Sequence, residues 1–209
     1  MLKKLVLLLT GVIIIGVQGN AQTMKEVFLA MPNSVLPLLS KDNRADFIDF
    51  LASKMKARVK NAYNENSYMD TLTTDYTHIR LTAVSDVTLK LLPLTDSTKV
   101  ICMVHTYHSD AGDSKISFFD TKWHSLDSSK FLTVPEVNDF LISGNEDTLQ
   151  LAKSKLDVPM IVASFFPASS DLKFVYDTAY LSQEDKKAVK ACIRPEIVKK
   201  WVNGKFISK

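Results

Sequence analysis

Cysteine and glycine are scarce in this chain, with two of the first and six of the second among 209 residues, and no sign of charge dominates. Each scarcity excludes something. Cys102 and Cys192 stand far apart, in "VICMV" and "AVKACI", so there is no C-x-x-C redox dithiol. The four histidines form no H-E-x-x-H zinc motif, and the serines no G-x-S-x-G nucleophile elbow. The 26 Lys and Arg are nearly balanced by 23 Asp and Glu, which leaves no electrostatic footprint for nucleic acid or an anionic membrane. Low-complexity tracts, fixed-period repeats and long linkers are also missing. Beyond the first residues, no apolar run approaches membrane length.

Those first residues are distinctive. "MLKKLVLLLTGVIIIGVQGNAQ" has a basic start at Lys3 and Lys4, a mostly apolar run from Leu5 to Val17, then small polar residues. The run is about 13 residues, roughly 20 Å as a helix, which falls short of a bilayer of ~30 Å. Gly19 and Ala21 occupy the positions where a signal peptidase needs small side chains, so cleavage is expected to leave Gln22 first. No cysteine follows the run, which rules out lipid attachment at a mature N-terminal cysteine. The expected product is an exported protein of the periplasm, cell surface or medium, with residues 22–209 as one domain and a possible subdivision near 133–157. Losing 21 of the 209 residues leaves 188 and lowers the formal charge from +3 to +1, because Lys3 and Lys4 go too. That length suffices for a substantial core.

Along the mature chain, Thr23 and Glu26 have capping-box spacing at the head of a helix that Pro32 ends. "SKDNRADFIDFLASKMKARVKN" places Phe47, Ile48, Leu51, Met55 and Val59 at helical spacing. Asp46 and Asp49 come early and Lys54, Lys56, Arg58 and Lys60 late, as a helix dipole favours, so a helix through Val59 is predicted. From about Tyr68, "DTLTTDYTHIRLTAV" and "DVTLKLLPL" read as strands. "TKVICMVHTYH" reads as a central strand, apolar on both faces, with "SKISFFDTKW" as its antiparallel partner. Thr133 and Glu136 suggest a capping box for a short helix in "TVPEVNDFLI". "NEDTLQLAKSKLD" and "SQEDKKAVKACI" predict two more helices, the last capped by Ser182. "PMIVASFF" and "DLKFVYDT" add strands around the turn "PASS", and Asn203-Gly204 predicts a closing hairpin. The order is α+β: an antiparallel meander with N-terminal helices packed on one face.

Within that order, "EVFLAMPNSVLPLLSKDNRADFIDF" resembles the N-terminal signature of a family of exported Bacteroidetes proteins of unknown function. Its most specific parts are "MP-x-S-x-LP-x-L" and "NR-x-D-x-IDF". Similarity continues through "DSKISFFDTKW" into the C-terminal region and so spans nearly all of the mature chain. The resemblance implies export and a single shared architecture. It implies no activity, cofactor or catalytic residue.

The richest chemistry sits in "MVHTYHSDAGDSKI". On a strand, His105 and His108 are three apart and point to opposite faces. With Asp110, Asp113 and His124 they would form a metal or acid–base site only if the strand broke between them. "HSDAGDS" has the composition of a hairpin loop, so no metal and no cofactor is expected. Trp123, in "TKWHS", is the one aromatic singled out as a stacking surface for a glycan, set against packing beneath its own turn. Cys102 and Cys192 suit either a disulfide in an oxidising compartment or two buried thiols. The expectation is a non-enzymatic binding or accessory module of the cell envelope that recognises a protein, peptide or glycan. The alternative is a hydrolase, possibly metal-dependent, built from His105, His108, Asp110, Asp113 or His124.

Overall fold

The structure, a computed structural model, describes residues 22–142 and 144–208; the expected signal segment lies outside them. Helices α1 (Met24–Ala30) and α2 (Lys41–Ala52) lead into a seven-stranded sheet. Its strands are β1 (Arg58–Lys60), β2 (Asn66–Leu72), β3 (Tyr76–Thr82), β4 (Ser85–Pro93), β5 (Lys99–His108), β6 (Gly112–Asp120) and β7 (Ser125–Leu126), paired antiparallel in chain order. Two helices, α3 (Val137–Phe140) and α4 (Glu146–Lys155), then precede β8 (Ile161–Phe165) and β9 (Leu172–Tyr176). After α5 (Gln183–Lys190) come β10 (Ile197–Val202) and β11 (Lys205–Ser208), which complete a second sheet in the order β11-β10-β9-β8. The predicted α+β class and antiparallel meander are present. The second sheet is what the strand reading did not assemble. No described helix is long and apolar enough to cross a membrane.

Period-two alternation sends the strands' side chains into two separate cores. Ile79, Leu81, Val87, Leu89, Ile101 and Met103 face α1 and α2. From the other side of the same sheet, Leu92, Val100, Cys102, Val104 and Phe118 meet Ile161, Phe165, Leu172 and Phe174 of the second sheet. This is why "VICMV" is apolar at every position: β5 is buried on both faces. The close approach of the sheets also fixes Gly112, where an added Cβ would stand 2.8 Å from Val162 Cγ2. Lys90 is buried between the sheets, its Nζ 2.8 Å from Asp75 Oδ2 and donating to Pro167 C=O at 3.3 Å.

The two signature runs turn out to be two halves of one joint. Arg44, from "NR-x-D-x-IDF", is 1% exposed. Its guanidinium donates to the Leu39 carbonyl at 2.6 Å and to the Met31 carbonyl and Asn33 Oδ1, all in the "MPNSVLPLL" connector. The connector closes the Pro32 and Leu36 carbonyls in its own turns, through Val35 N–H and Leu39 N–H, and the planar fork of Arg44 takes the Met31 and Leu39 carbonyls that those turns leave over.

Two local expectations are corrected. The helix predicted through Val59 stops at Ala52: Lys54 takes φ +56°, and Met55 N–H closes the end on Phe50 C=O. Met55 is exposed and Val59 enters β1 opposite Ser67, so sheet pairing overrides the helical spacing. In "TVPEVNDFLI" the helix begins at Val137 with Glu136, not Thr133, at its N-cap position. By contrast, Asn203 (φ +49°) and Gly204 (φ +77°) form the expected tight turn between β10 and β11.

Candidate functional site

Strand register builds a polar cleft on the face of the first sheet that looks toward β8. In β3 and β4, Thr77, Ile79, Val87 and Leu89 go to the helical side, which sends His78, Arg80, Asp86 and Thr88 to the other. Arg80 lies directly opposite Asp86 across β3 and β4, and Thr106 lies opposite it across β4 and β5. The diagonal neighbours of Asp86 are therefore His78 and His108, within reach of long side chains. His108 Nε2 sits 2.7 Å from Asp86 Oδ2, and His78 Nε2 sits 4.0 Å from Oδ1. On the far side, His78 Nδ1 is 3.1 Å from Asp70 Oδ2. Thr106 Oγ1 pairs with Ser114 Oγ at 2.8 Å, and that oxygen accepts Ala163 N–H at 3.0 Å. The cleft between these groups and Val162–Phe165 has a volume of about 330 Å³.

Chemically this is a carboxylate hydrogen-bonded to one partly exposed imidazole, with a second imidazole and Arg80 Nε standing 4.0 Å and 3.9 Å from it. It offers fixed hydrogen-bond donors and acceptors to a polar ligand. Among the described residues, no group of three His, Cys, Asp or Glu side chains is placed to hold a metal ion.

The residues singled out in the sequence scatter around this cleft, and only His108 lines it. His105 lies on the opposite, helical face, stacked on Tyr107 with ring centroids 4.2 Å apart and Nδ1 3.1 Å from the phenol oxygen. Asp110 is exposed in the β5–β6 turn, and Asp113 accepts Ile161 N–H at 3.3 Å. His124 caps the β6–β7 turn, Nδ1 2.8 Å from Asp120 Oδ2. These positions do not converge. Trp123 is corrected as a ligand surface: it is 6% exposed, packs into the helical core and donates from Nε1 to Val27 C=O at 2.9 Å. Its turn position, φ +70°, rolls the ring under the sheet. Sequence inspection missed His78 and Asp86. The only signal was the alternation in "YTHIRLT" and "SDVTL", which assigns a face but no neighbour.

Cys102 and Cys192 are not bonded to each other; each is a buried free thiol. Both belong to the inter-sheet core, where a thiol acts as a small hydrophobe, and burial raises the pKa of Cys102 well above its ordinary value. Two thiols are expected to titrate after denaturation without reductant, and neither in the folded protein. A count of zero would show a disulfide instead.

His105 supplies a pH dependence. Its Nε2 is buried with no partner, and burial, aided by Lys115, lowers its pKa. The unfolded ring titrates near ~6.5, so below that value the unfolded chain binds the extra proton first. Stability is expected to fall as pH drops from about 6.5 through the lower folded value. Urea midpoints at several pH values should show a shallower decline in His105→Gln; an unchanged decline would remove His105 as the cause.

A family of proteins of unknown function, DUF3256, matches residues 16–206. The chain belongs to that family. A solved structure of a domain of an uncharacterized protein from Porphyromonas gingivalis W83 is similar to this DUF3256 protein at a TM-score of 0.78 and 25% identity. The match covers 90% of this chain and 98% of that one. No curated protein matches. The DUF3256 match includes both runs joined by Arg44 and all three strands that contribute His78, Asp86 and His108.

Proposed function

We propose that this DUF3256 protein is an exported, non-catalytic binding or accessory module of the cell envelope. What supports binding over turnover is how the cleft's polar groups are committed. His108 is held by Asp86 at 2.7 Å and His78 by Asp70 at 3.1 Å. Among the described residues, no hydroxyl is hydrogen-bonded to either imidazole, so neither is set against a nucleophile. Rigid, pre-oriented polar groups beside an apolar seam suit recognition of a partner. The basic and apolar leader ahead of Gln22 supports export.

The mature chain and a His78→Gln/His108→Gln double variant test this against ester, phosphoester, amide and glycoside reporters, alongside envelope peptide and glycan panels. Saturable binding without turnover is expected. Turnover that vanishes in the double variant would establish the hydrolase instead. Export is checked separately by cell fractionation and N-terminal sequencing, with Gln22 expected first; recovery of Met1 in the cytoplasm would overturn it.

A further inference from the structure

The seven-stranded sheet stops short along one edge. β7 pairs only with Phe118 and Phe119 of β6. Nearer the β5–β6 turn, no described strand forms backbone pairs with the outer side of β6, and β8 touches it there through side chains alone. Antiparallel bonding alternates along a strand, so every second residue of β6 directs its N–H and C=O outward. Asp120 identifies the outward set: it donates to His124 C=O and accepts from Trp123 N–H, both at 3.0 Å. Gly112, Ser114, Ile116 and Phe118 share its parity. Gly112 N–H is capped by Asp177 Oδ2 at 2.8 Å, and Phe118 meets β7. Ser114 and Ile116 have no backbone partner on that side among the described residues.

The edge of β8 facing the same seam is treated differently. There Asp113 Oδ1 accepts Ile161 N–H and Ser114 Oγ accepts Ala163 N–H. Side chains thus close one edge, as soluble proteins ordinarily do, and leave the other open.

A groove of about 480 Å³ runs beside the open edge. Ile116, Val137, Leu156 and Phe174 contribute its apolar walls. Its charged residues, Asp113, Glu136 and Asp157, are all exposed carboxylates, with no Lys or Arg among the lining residues. Unpaired strand groups, alternating apolar space and one sign of charge call for a particular occupant. We infer that the groove binds an extended protein segment, with apolar residues alternating with lysine or arginine, which adds as a strand to β6 in the lane that β7 leaves empty. This deepens the binding-module reading, on which it rests, by naming the partner's class. Main-chain bonds at Ser114 and Ile116 supply affinity, alternate apolar side chains enter the groove, and the carboxylates select cations.

The test titrates the mature chain with synthetic peptides of about six residues, the span of an ordinary strand, alternating valine with lysine. Controls replace lysine with glutamate or place proline at alternate positions. Expected are at least tenfold weaker binding of both controls and slowed hydrogen exchange at the Ser114 and Ile116 amides on binding. The exposed double variant Glu136→Lys/Asp157→Lys should reverse the lysine-over-glutamate preference while keeping its urea midpoint. Binding that leaves those amides exchanging freely, or that ignores peptide charge, would overturn the inference but leave the binding-module reading standing. So would self-association that protects the same amides, since a second copy would then be the occupant. Turnover with no binding of any panel member would remove both.

Discussion

Replacing Arg44 with leucine is expected to be among the most damaging single changes in this protein. The side chain is buried, it carries a charge with no carboxylate partner in the described structure, and burial lowers its pKa. Deleting that charge relieves some desolvation. It also leaves the Leu39 and Met31 carbonyls without their donor, in a connector whose two prolines restrict any rearrangement. Buried acceptors left unpaired cost about 1–3 kcal/mol each, so a net loss of about 2–4 kcal/mol is expected after the relief. Lysine should not restore it, because a single ammonium cannot reproduce a planar fork that spans two carbonyls and Asn33. Urea unfolding of residues 22–209 decides. If Arg44→Lys unfolds with the parent midpoint, charge matters and the fork does not.

Trp123→Ala is the second large effect, expected at about 3–5 kcal/mol from lost packing and the cavity left behind. The indole packs against Phe119, ring centroids 5.3 Å apart, and reaches across from the β6–β7 turn to α1. Val27 C=O belongs to the last turn of that helix, where carbonyls have no intrahelical donor. Trp123→Phe separates the two contributions. It keeps most of the packing but orphans the carbonyl, and should cost about 1–2 kcal/mol. Equal losses in the two variants would mean that the hydrogen bond, not the ring volume, carries the contact. Any loss of glycan binding in Trp123→Ala should track unfolding, because the ring presents almost no surface to solvent.

What was legible in the sequence was local. Capping pairs such as Thr23 with Glu26, the Asn203-Gly204 turn and the continuous apolar run of β5 each depend on residues within a few positions of one another, and each appears in the structure. The same locality misled at Met55 and Val59. Their helical spacing was real, but a strand pairing with Ser67 formed instead. His105 and His108 could be assigned to opposite faces from spacing alone, because β5 continues unbroken between them.

By itself the sequence determined the α+β class, the hairpin at residues 100–120 and a near-neutral charge over residues 22–209, since periodicity and composition depend on single segments. Only the tertiary structure decided that His78 and His108 flank Asp86, that Trp123 is core and that two cysteines stay apart in one apolar layer. Which residues share a cleft depends on register between strands and on a second sheet laid across the first, and both follow from packing over long sequence separations. The open edge of β6 is of the same kind: β7 ends after two residues because the chain turns away at Asp127, whose carboxylate accepts Ser129 N–H at 3.1 Å.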